Sequence, residues 1–295
     1  MDGNYLQLAS TLLMTGAVGI VAWDDYRVRK TLERYTNLDV ALNAPDVKLE
    51  QDIKIKTIVF LDLKGFTTIS SKYKANYVAG ILNAFSQTVS DNLDKSGVFA
   101  NFMGDGIMVS YDDAKIAVEN TIKILNALEI AFKSVDLSIK ITAGIHTGDI
   151  FTGTVGNYKR MDYAYIGDAA NTASRMQSLC GYYDEKIIIS GDTIKAAGTE
   201  IESRFFQIDT VRVKGREAAL KVFSEPSPGG IYAGYASALS HYRTRRFDDA
   251  KAIFINLAKI GGEKSGIFER WAARCETEKN MAAKDWDGIF THSSK

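Results

Sequence analysis

The sequence predicts an α+β fold built around a ferredoxin-like sheet with helices. Segments with strand and helix patterns follow one another as strand, helix, hairpin, helix and strand between residues 55 and 146. The first of them contains Ile58-Val59-Phe60-Leu61, an apolar run with β-branched residues that indicates a buried strand. A Pro- and Gly-rich linker at 226–230 separates this domain from a helical segment. We therefore expect a sheet domain followed by a helical extension.

The elements of the sheet domain follow from the alternation of apolar periodicities. We expect strands at 55–62, 97–103, 106–111, 137–146, 149–155, 163–166, 186–190, 204–213 and 218–224. We expect helices at 72–95, 113–133, 168–180 and 191–197. Gly153, Gly156 and Asn157 indicate the loop of a hairpin.

The extension at 231–295 has apolar residues at helical spacing on two successive segments. They are Tyr235, Leu239 and Tyr242, then Phe247, Ala250, Phe254 and Leu257. This pattern resembles a single helix pair of the tetratricopeptide (TPR) type, and we expect a third helix at 265–280. Because one pair cannot bury its own apolar face, we expect it to pack on the sheet domain or on another chain.

The N-terminal segment is apolar and uncharged from residue 4 to residue 23. A helix of this length just spans the hydrocarbon core of a bilayer, so we predict a transmembrane helix at 1–23. Basic residues follow it and only Asp2 precedes it, which places the remaining chain in the cytoplasm. A linker helix is expected within 24–54, ending at Pro45. The alternative is a soluble apolar helix buried in a dimer.

Composition excludes several classes of function. Lys plus Arg and Asp plus Glu each number 36, so overall charge gives no reason to expect a nucleic-acid partner. Cys180 and Cys275 form neither a disulfide framework nor a zinc-binding spacing. His146 ends an apolar strand, where a hydrogen-bonded core histidine is expected rather than a metal ligand.

The end of the first strand carries the first candidate for chemistry. Asp62 stands where the buried strand ends, and an unpaired charge there would be costly. A glycine turn and a helical pattern follow, which favour binding of an anion by backbone N–H groups. We interpret this as a metal-binding carboxylate beside a phosphate-binding turn formed by Leu63, Gly65, Phe66 and Thr67. On its own, Asp62 would also suit a simple turn.

A second carboxylate stands between two strands, in Gly104-Asp105-Gly106. Alone, this tripeptide is an ordinary hairpin turn because its residues tolerate positive φ. Together with Asp62, however, it supplies a second carboxylate at a strand end. Two aspartates on adjacent strands can hold two hard cations that also bind a triphosphate.

The three motifs together resemble those of the class III nucleotidyl cyclases. These are Phe60-x-Asp62-x-x-Gly65-Phe66-Thr67, Gly104-Asp105-Gly106 and Asn171-x-Ala173-Ser174-Arg175, in the order and spacing of that family. The resemblance covers residues 55–225. It implies conversion of a nucleoside triphosphate to a 3′,5′-cyclic nucleotide and pyrophosphate, with two Mg²⁺ or Mn²⁺ ions per site held by Asp62 and Asp105. The tail from Asp285 also resembles the ending of many bacterial cyclases.

The resemblance assigns further residues. Asn171 and Arg175 are four apart and so lie on one helix face. By resemblance, Asn171 orients the ribose and Arg175 stabilises charge on the α-phosphate, for which a guanidinium is well shaped. Lys214 matches the lysine that holds the terminal phosphates. The family draws these groups and the aspartates from opposite protomers, which implies a homodimer with shared active sites.

The sequence departs from the family at the positions that read the base. Asn101 and Ala164 stand where adenylate cyclases carry a lysine and an aspartate or threonine, and the guanine-reading pair is absent too. This departure resembles the pyrimidine cyclases of bacterial anti-phage signalling and favours UTP, giving cyclic UMP. The alternatives are an adenylate cyclase acting on ATP and a degenerate module that binds nucleotide without turnover. Retention of the aspartates, Asn171, Arg175 and Lys214 favours an enzyme.

Overall fold

A computed structural model describes residues 26, 52–133, 139–157, 160–213, 218–225, 232–262, 265–280 and 286–292. The predicted transmembrane helix at 1–23 and most of the linker helix within 24–54 lie outside these residues. The one described residue at 24–51, Tyr26, is helical. Among the described helices, none is both long enough and apolar enough to cross a membrane.

The described elements alternate between strands and helices, as expected. The strands are β1 (Asp52–Lys64), β2 (Val98–Met103), β3 (Gly106–Tyr111), β4 (Lys140–Asn157), β5 (Arg160–Ile166), β6 (Ile187–Ser190), β7 (Phe206–Val213), β8 (Leu220–Ser224) and β9 (Phe290–His292). The helices are α1 (Phe66–Lys72), α2 (Ala75–Asn92), α3 (Ala114–Phe132), α4 (Asp168–Tyr183), α5 (Gly191–Ala197), α6 (Thr199–Glu202), α7 (Tyr232–Arg243), α8 (Phe247–Ile260) and α9 (Ser265–Glu278).

The strands form one mixed sheet. Its order is β2-β3-β1-β4-β6-β8-β7-β9, and β5 pairs with β4. The first four strands, in the order β2-β3-β1-β4, have the arrangement of a βαββαβ unit, which confirms the predicted ferredoxin-like centre. β3 runs antiparallel to both β1 and β2, so β1 and β3 are neighbours in the interior of the sheet.

Three predicted boundaries were wrong. The helix expected at 72–95 is α2, which begins only at Ala75 because the extended conformation of Tyr73 separates it from the short helix α1. The strands expected at 137–146 and 149–155 are one strand, β4, which continues through Thr147 and Gly148. The Thr147 hydroxyl bonds Thr57 and Thr193 at 2.9 and 3.0 Å, which fixes the chain where a break was expected. β1 also begins at residue 52, within the range assigned to the linker helix.

Side chains on opposite faces of the sheet enter two separate cores. On β6, Ile187 and Ile189 belong to the core beneath α2 and α3, whereas Ile188 belongs to the second core. The second core contains residues of α4, β7 and β8 together with α7, α8 and α9. The three C-terminal helices expected from the sequence are therefore present and pack on the sheet domain. Their likeness to the TPR type stays a prediction.

The chain also divides into two compact units. One unit comprises 53–150 and 166–295, and the hairpin residues 151–165 belong to the other. Within the second unit, Tyr163 and Tyr165 contact each other edge to face, with ring centroids 5.6 Å apart. The site described next is built from residues of the first unit.

Candidate active site

The register of β1 against β3 brings the two predicted carboxylates together. Asp62 is opposite Gly106, the residue that follows Asp105. A Cβ atom added to Gly106 would lie 3.2 Å from the Leu61 carbonyl oxygen and 3.7 Å from Asp62 Oδ1. Gly104, on the other side of Asp105, has a φ of +73°, which favours glycine. The two glycines thus allow a tight hairpin that holds Asp105 beside Asp62.

The environment of Asp62 opposes its ionisation. Burial, and secondarily the negative charge of Asp105, raises the pKa of Asp62 to about 6. Hydrogen bonds from the Gln177 side chain and the Leu63 backbone act in the opposite direction but do not cancel this effect. Among the described residues, no lysine, arginine or histidine forms an ion pair with Asp62. The site therefore holds two close carboxylates with no cationic side chain paired to the first.

This donor set fits a hard divalent cation. Carboxylate oxygens are the ligands that Mg²⁺ and Mn²⁺ prefer, and a cation would relieve the repulsion that raises the Asp62 pKa. In the part of the chain that the structure describes, no cluster of three or more acidic, histidine or cysteine side chains surrounds a common point. Two carboxylates suffice for Mg²⁺ when substrate phosphates and water supply the remaining ligands.

Gln177 is a site residue that sequence reasoning missed. Its Nε2 donates to Asp62 Oδ2 at 3.0 Å and to Thr142 Oγ1 at 2.9 Å. The contact depends on a close approach of α4 to β4, because a Cβ atom on Gly144 would lie 2.0 Å from the Gln177 backbone nitrogen. The only sequence signal was its place two residues after Arg175, in the motif helix. Gln177 thus connects α4 to the carboxylate on β1.

Asn171 and Arg175 lie on α4, four residues apart as predicted. Asn171 is exposed in the first turn of the helix, and Arg175 is half-buried one turn later. Within the described residues, Arg175 forms no ion pair, so its guanidinium can accept an anionic ligand. Both side chains are therefore placed on a rigid helix rather than on a loop.

The expected phosphate-binding turn has the predicted geometry in part. Gly65 has a φ of +91°, and α1 begins at the next residue. Phe66 is half-buried and Thr67 exposed, whereas Leu63 lies in the core. Leu63 can thus contribute only its backbone to a ligand.

The remaining predicted residues lie on other elements of the chain. Asn101 is exposed on β2, at the strand next to β3. Ala164 is half-buried on β5, in the second unit. Lys214 lies outside the described residues and directly follows the last residue of β7. His146 is buried, and its Nδ1 lies 2.7 Å from Ser190 Oγ, which confirms the prediction of a core histidine.

The fold and the paired carboxylates are those of a known protein family, as comparison with family models shows. Residues 49–225 match the adenylate and guanylate cyclase catalytic domain, more than half of the chain. The chain therefore belongs to this family, as its motifs predicted, and contains a nucleotidyl cyclase catalytic domain.

Particular relatives include cyclases named for two different bases. The chain is 33% identical over 179 residues to the terminal-differentiation-specific adenylate cyclase of Dictyostelium discoideum, a match covering 57% of this chain and 8% of that protein. The solved adenylyl cyclase CyaB from P. aeruginosa matches 62% of this chain and 98% of its own with 27% identity and a TM-score of 0.53. The guanylyl cyclase Cya2 matches 62% of this chain and 96% of its own, with 28% identity and a TM-score of 0.53.

Proposed function

We propose that this chain is a nucleotidyl cyclase that converts a nucleoside triphosphate to a 3′,5′-cyclic nucleotide and pyrophosphate. In this reaction the 3′-oxygen loses its proton to solvent and bonds to the α-phosphorus. The bond from that phosphorus to the bridging oxygen breaks, and pyrophosphate leaves. The observation that carries the proposal is that Asp62 and Asp105 lie close together where β1 ends and β3 begins, in the sheet of a cyclase-family domain.

The chain's own residues would divide the work of positioning and charge stabilisation. Asp62 and Asp105 would hold Mg²⁺ or Mn²⁺, which supplies positive charge beside the ribose oxygen and the terminal phosphates. Asn171 would orient the ribose, and Arg175, which has no ion-pair partner among the described residues, would stabilise the α-phosphate. Lys214 would bind the terminal phosphates. Such a reaction depends on orientation and electrostatics rather than on a covalent intermediate with the protein.

The direct test is to incubate the protein with each nucleoside triphosphate and Mn²⁺ and to identify products by mass. We expect a cyclic nucleotide and pyrophosphate in equal amounts, and none with an Asp62→Ala variant assayed in parallel. Nucleotide binding without any product from all four triphosphates would instead indicate the degenerate module.

The active sites are proposed to form between two copies of the chain. Support comes from the family, in which the aspartates and the Asn-Arg helix of one site belong to opposite protomers. Asp62→Ala and Arg175→Ala chains would each be inactive alone. Mixed, they should regain activity, because the heterodimer then contains one intact site. Inactive heterodimers, isolated by two different affinity tags, would contradict the shared site.

For the base, our first candidate is a pyrimidine, with UTP giving cyclic UMP. The support is the absence of a lysine at Asn101 and of an aspartate or threonine at Ala164. Ala164 offers only backbone groups, and an Asn101 amide can pair with uracil as well as with adenine. A site without buried purine readers has little means to select a purine. The product would then act as a messenger in anti-phage signalling, for a partner effector.

ATP is the second candidate, and the names of the relatives favour it. The Dictyostelium and P. aeruginosa proteins are called adenylate cyclases. The decisive measurement is kcat/KM for UTP, CTP, ATP and GTP. A preference for ATP of about tenfold, equivalent to about 1.4 kcal/mol, would exclude the pyrimidine assignment. If UTP is preferred, Asn101→Lys combined with Ala164→Thr should raise the use of ATP relative to UTP.

We also propose that residues 1–23 attach the protein to a bacterial inner membrane with the catalytic domain in the cytoplasm. The support is the uncharged apolar segment followed by basic residues. Deleting 1–23 should release the protein from membranes and lower activity at low protein concentration, because the dimer is weakened. A full-length protein found entirely in the soluble fraction would rule out this attachment.

A further inference from the structure

The C-terminal helices share a core with α4, the helix that carries Asn171 and Arg175. The second half of α4 enters the same cluster as α7, α8 and α9, through Met176, Leu179, Cys180 and Tyr183. The helix thus projects its motif residues from one end and is packed against the extension at the other. Any displacement of the extension would act on α4 directly, because close-packed interiors transmit small shifts.

A buried ion pair fixes this contact. Arg274 of α9 donates from Nη2 to Asp209 Oδ2 of β7 at 2.6 Å, and both side chains are only about one-twentieth exposed (5% and 4%). The Tyr183 hydroxyl, in the last turn of α4, donates to the same oxygen at 2.5 Å. The backbone N–H of Thr210 donates to the other carboxylate oxygen at 2.6 Å. One carboxylate therefore joins α4, β7 and α9.

The same arginine also contacts the C-terminal tail. Its guanidinium carbon lies 3.6 Å from the centroid of the Trp271 ring and 4.4 Å from that of Phe290. Phe290 belongs to β9, which pairs in parallel with the last residues of β7: Val211 with Phe290, and Val213 with His292. Arg212 adds an ion pair to Asp287 at 2.5 Å. The tail thus lines the strand segment that directly precedes Lys214.

We infer that Asp209 and Arg274 are positioning residues that hold α4 and β7 in the arrangement that the cyclase reaction requires. Asn171 and Arg175 lie on α4, and Lys214 follows β7, so all three groups proposed to act on ribose and phosphates depend on this junction. Asp62 and Asp105 lie on β1 and beside β3, on the other side of β4. The inference rests on the proposed shared-site reaction and names the half of the site that the extension controls.

The alternative is that the buried pair stabilises the whole chain without a preference for either half of the site. Mixing chains with different substitutions distinguishes a positioning role from general stabilisation. A heterodimer of Asp62→Ala and Arg274→Met chains has one site with intact aspartates, and its α4 and Lys214 come from the chain with intact Arg274. A heterodimer of Arg175→Ala and Arg274→Met chains has its one competent site built on α4 of the Arg274→Met chain.

The experiment measures kcat and KM for these two heterodimers, each isolated by two tags. Because Gln177 of α4 also bonds Asp62, both heterodimers are assayed at saturating Mn²⁺. For the first we then expect kcat per intact site close to that of an Asp62→Ala and Arg175→Ala heterodimer. For the second we expect kcat lower by roughly 10- to 100-fold, since small misplacements of reacting groups have effects of that size. The matched control is Arg270→Met, an exposed arginine on the same helix, over the Tyr182 ring. When Arg270→Met replaces Arg274→Met in either heterodimer, kcat should stay at the value of the Asp62→Ala and Arg175→Ala heterodimer.

Equal losses in the two heterodimers would overturn the inference while the Asp62→Ala and Arg175→Ala pair keeps the proposed function standing. If that reference pair regains no activity, the shared site fails instead. In that case the test is kcat of the Arg274→Met homodimer. A kcat equal to that of the wild type overturns the inference. Where Arg274→Met fails to fold, Arg274→Lys is used in its place and is interpreted in the same way. It keeps the charge but loses the planar guanidinium that lies over the Trp271 and Phe290 rings.

Discussion

Two carboxylates of this domain, Asp62 and Asp209, are both largely removed from water but have opposite surroundings. Asp209 receives hydrogen bonds from a guanidinium, a phenol and a backbone N–H. Asp62 has an uncharged amide for a side-chain donor and a second carboxylate for a neighbour. The first arrangement is neutralised within the protein, and the second is left to be neutralised by a ligand. This difference in internal compensation supports a structural role for Asp209 and the proposed metal-binding role of Asp62.

The largest expected effect comes from removing the uncompensated carboxylates. Asp62→Ala or Asp105→Ala should lower kcat by more than about 100-fold, since each would remove a ligand of the proposed metal ion, which would stabilise the transition state. The unfolding temperature should not fall, because no lysine, arginine or histidine among the described residues loses an ion-pair partner. Asp91→Ala, at an exposed aspartate of α2, is the control. Substantial residual turnover in either variant would contradict the role given to this edge of the sheet.

The compensated carboxylate should behave in the opposite way. Asp209→Leu leaves the buried Arg274 charge without its partner, which should lower the free energy of unfolding by about 3–5 kcal/mol. Adding Arg274→Met should restore much of that loss, because an apolar pair needs no compensation. Denaturant unfolding measures both variants. Lys115→Met, which removes an exposed ion pair to Glu200, should change little. A double variant no more stable than the single one would contradict this reading.

A smaller effect should follow from the amide that orients Asp62. Gln177→Leu keeps the size of the side chain but removes the donor to Asp62 and Thr142. Residues that orient a metal ligand typically contribute 10- to 100-fold in affinity, so we expect Mn²⁺ binding, measured by electron paramagnetic resonance, to weaken by about tenfold. Gln87→Leu removes a comparable amide bonded to exposed Asp91 and serves as the control. Unchanged Mn²⁺ affinity would show that Gln177 only packs.

The smallest effect is a pH dependence of the metal-free protein. The pKa of Asp62 rises from 3.8 to about 6 on folding. The folded state therefore binds more protons than the unfolded state in this window, and stability falls as pH rises from about 4 to about 6. The unfolding temperatures of Asp62→Asn and the wild type are compared with chelator present. The unfolding temperature of Asp62→Asn minus that of the wild type should increase from about pH 4 to about pH 6 and stay constant above pH 6. Parallel curves throughout would contradict the raised pKa.

Much of this site was predictable because its determinants are local. Asp62 and Asp105 stand at strand ends next to glycines, and Asn171 and Arg175 have helical spacing, so each motif was recognisable within a few residues. The missed continuation of β4 at Thr147 has another origin. The backbone conformation there depends on contacts with distant residues, such as the bond from Thr147 to Thr57. Local periodicity does not contain that information.

The amino-acid pattern was sufficient to predict the family, the strand that carries Asp62, the hairpin around Asp105 and the helix that carries Asn171 and Arg175. Only the packing of the folded chain shows that Gln177 bonds Asp62, from 115 residues away, and that Arg274 pairs with Asp209, 65 residues apart. It also decided that β9 extends the sheet beyond β7. The physical reason is that strand and helix patterns arise from neighbouring residues, whereas the partner of a buried polar group is set by which elements pack together.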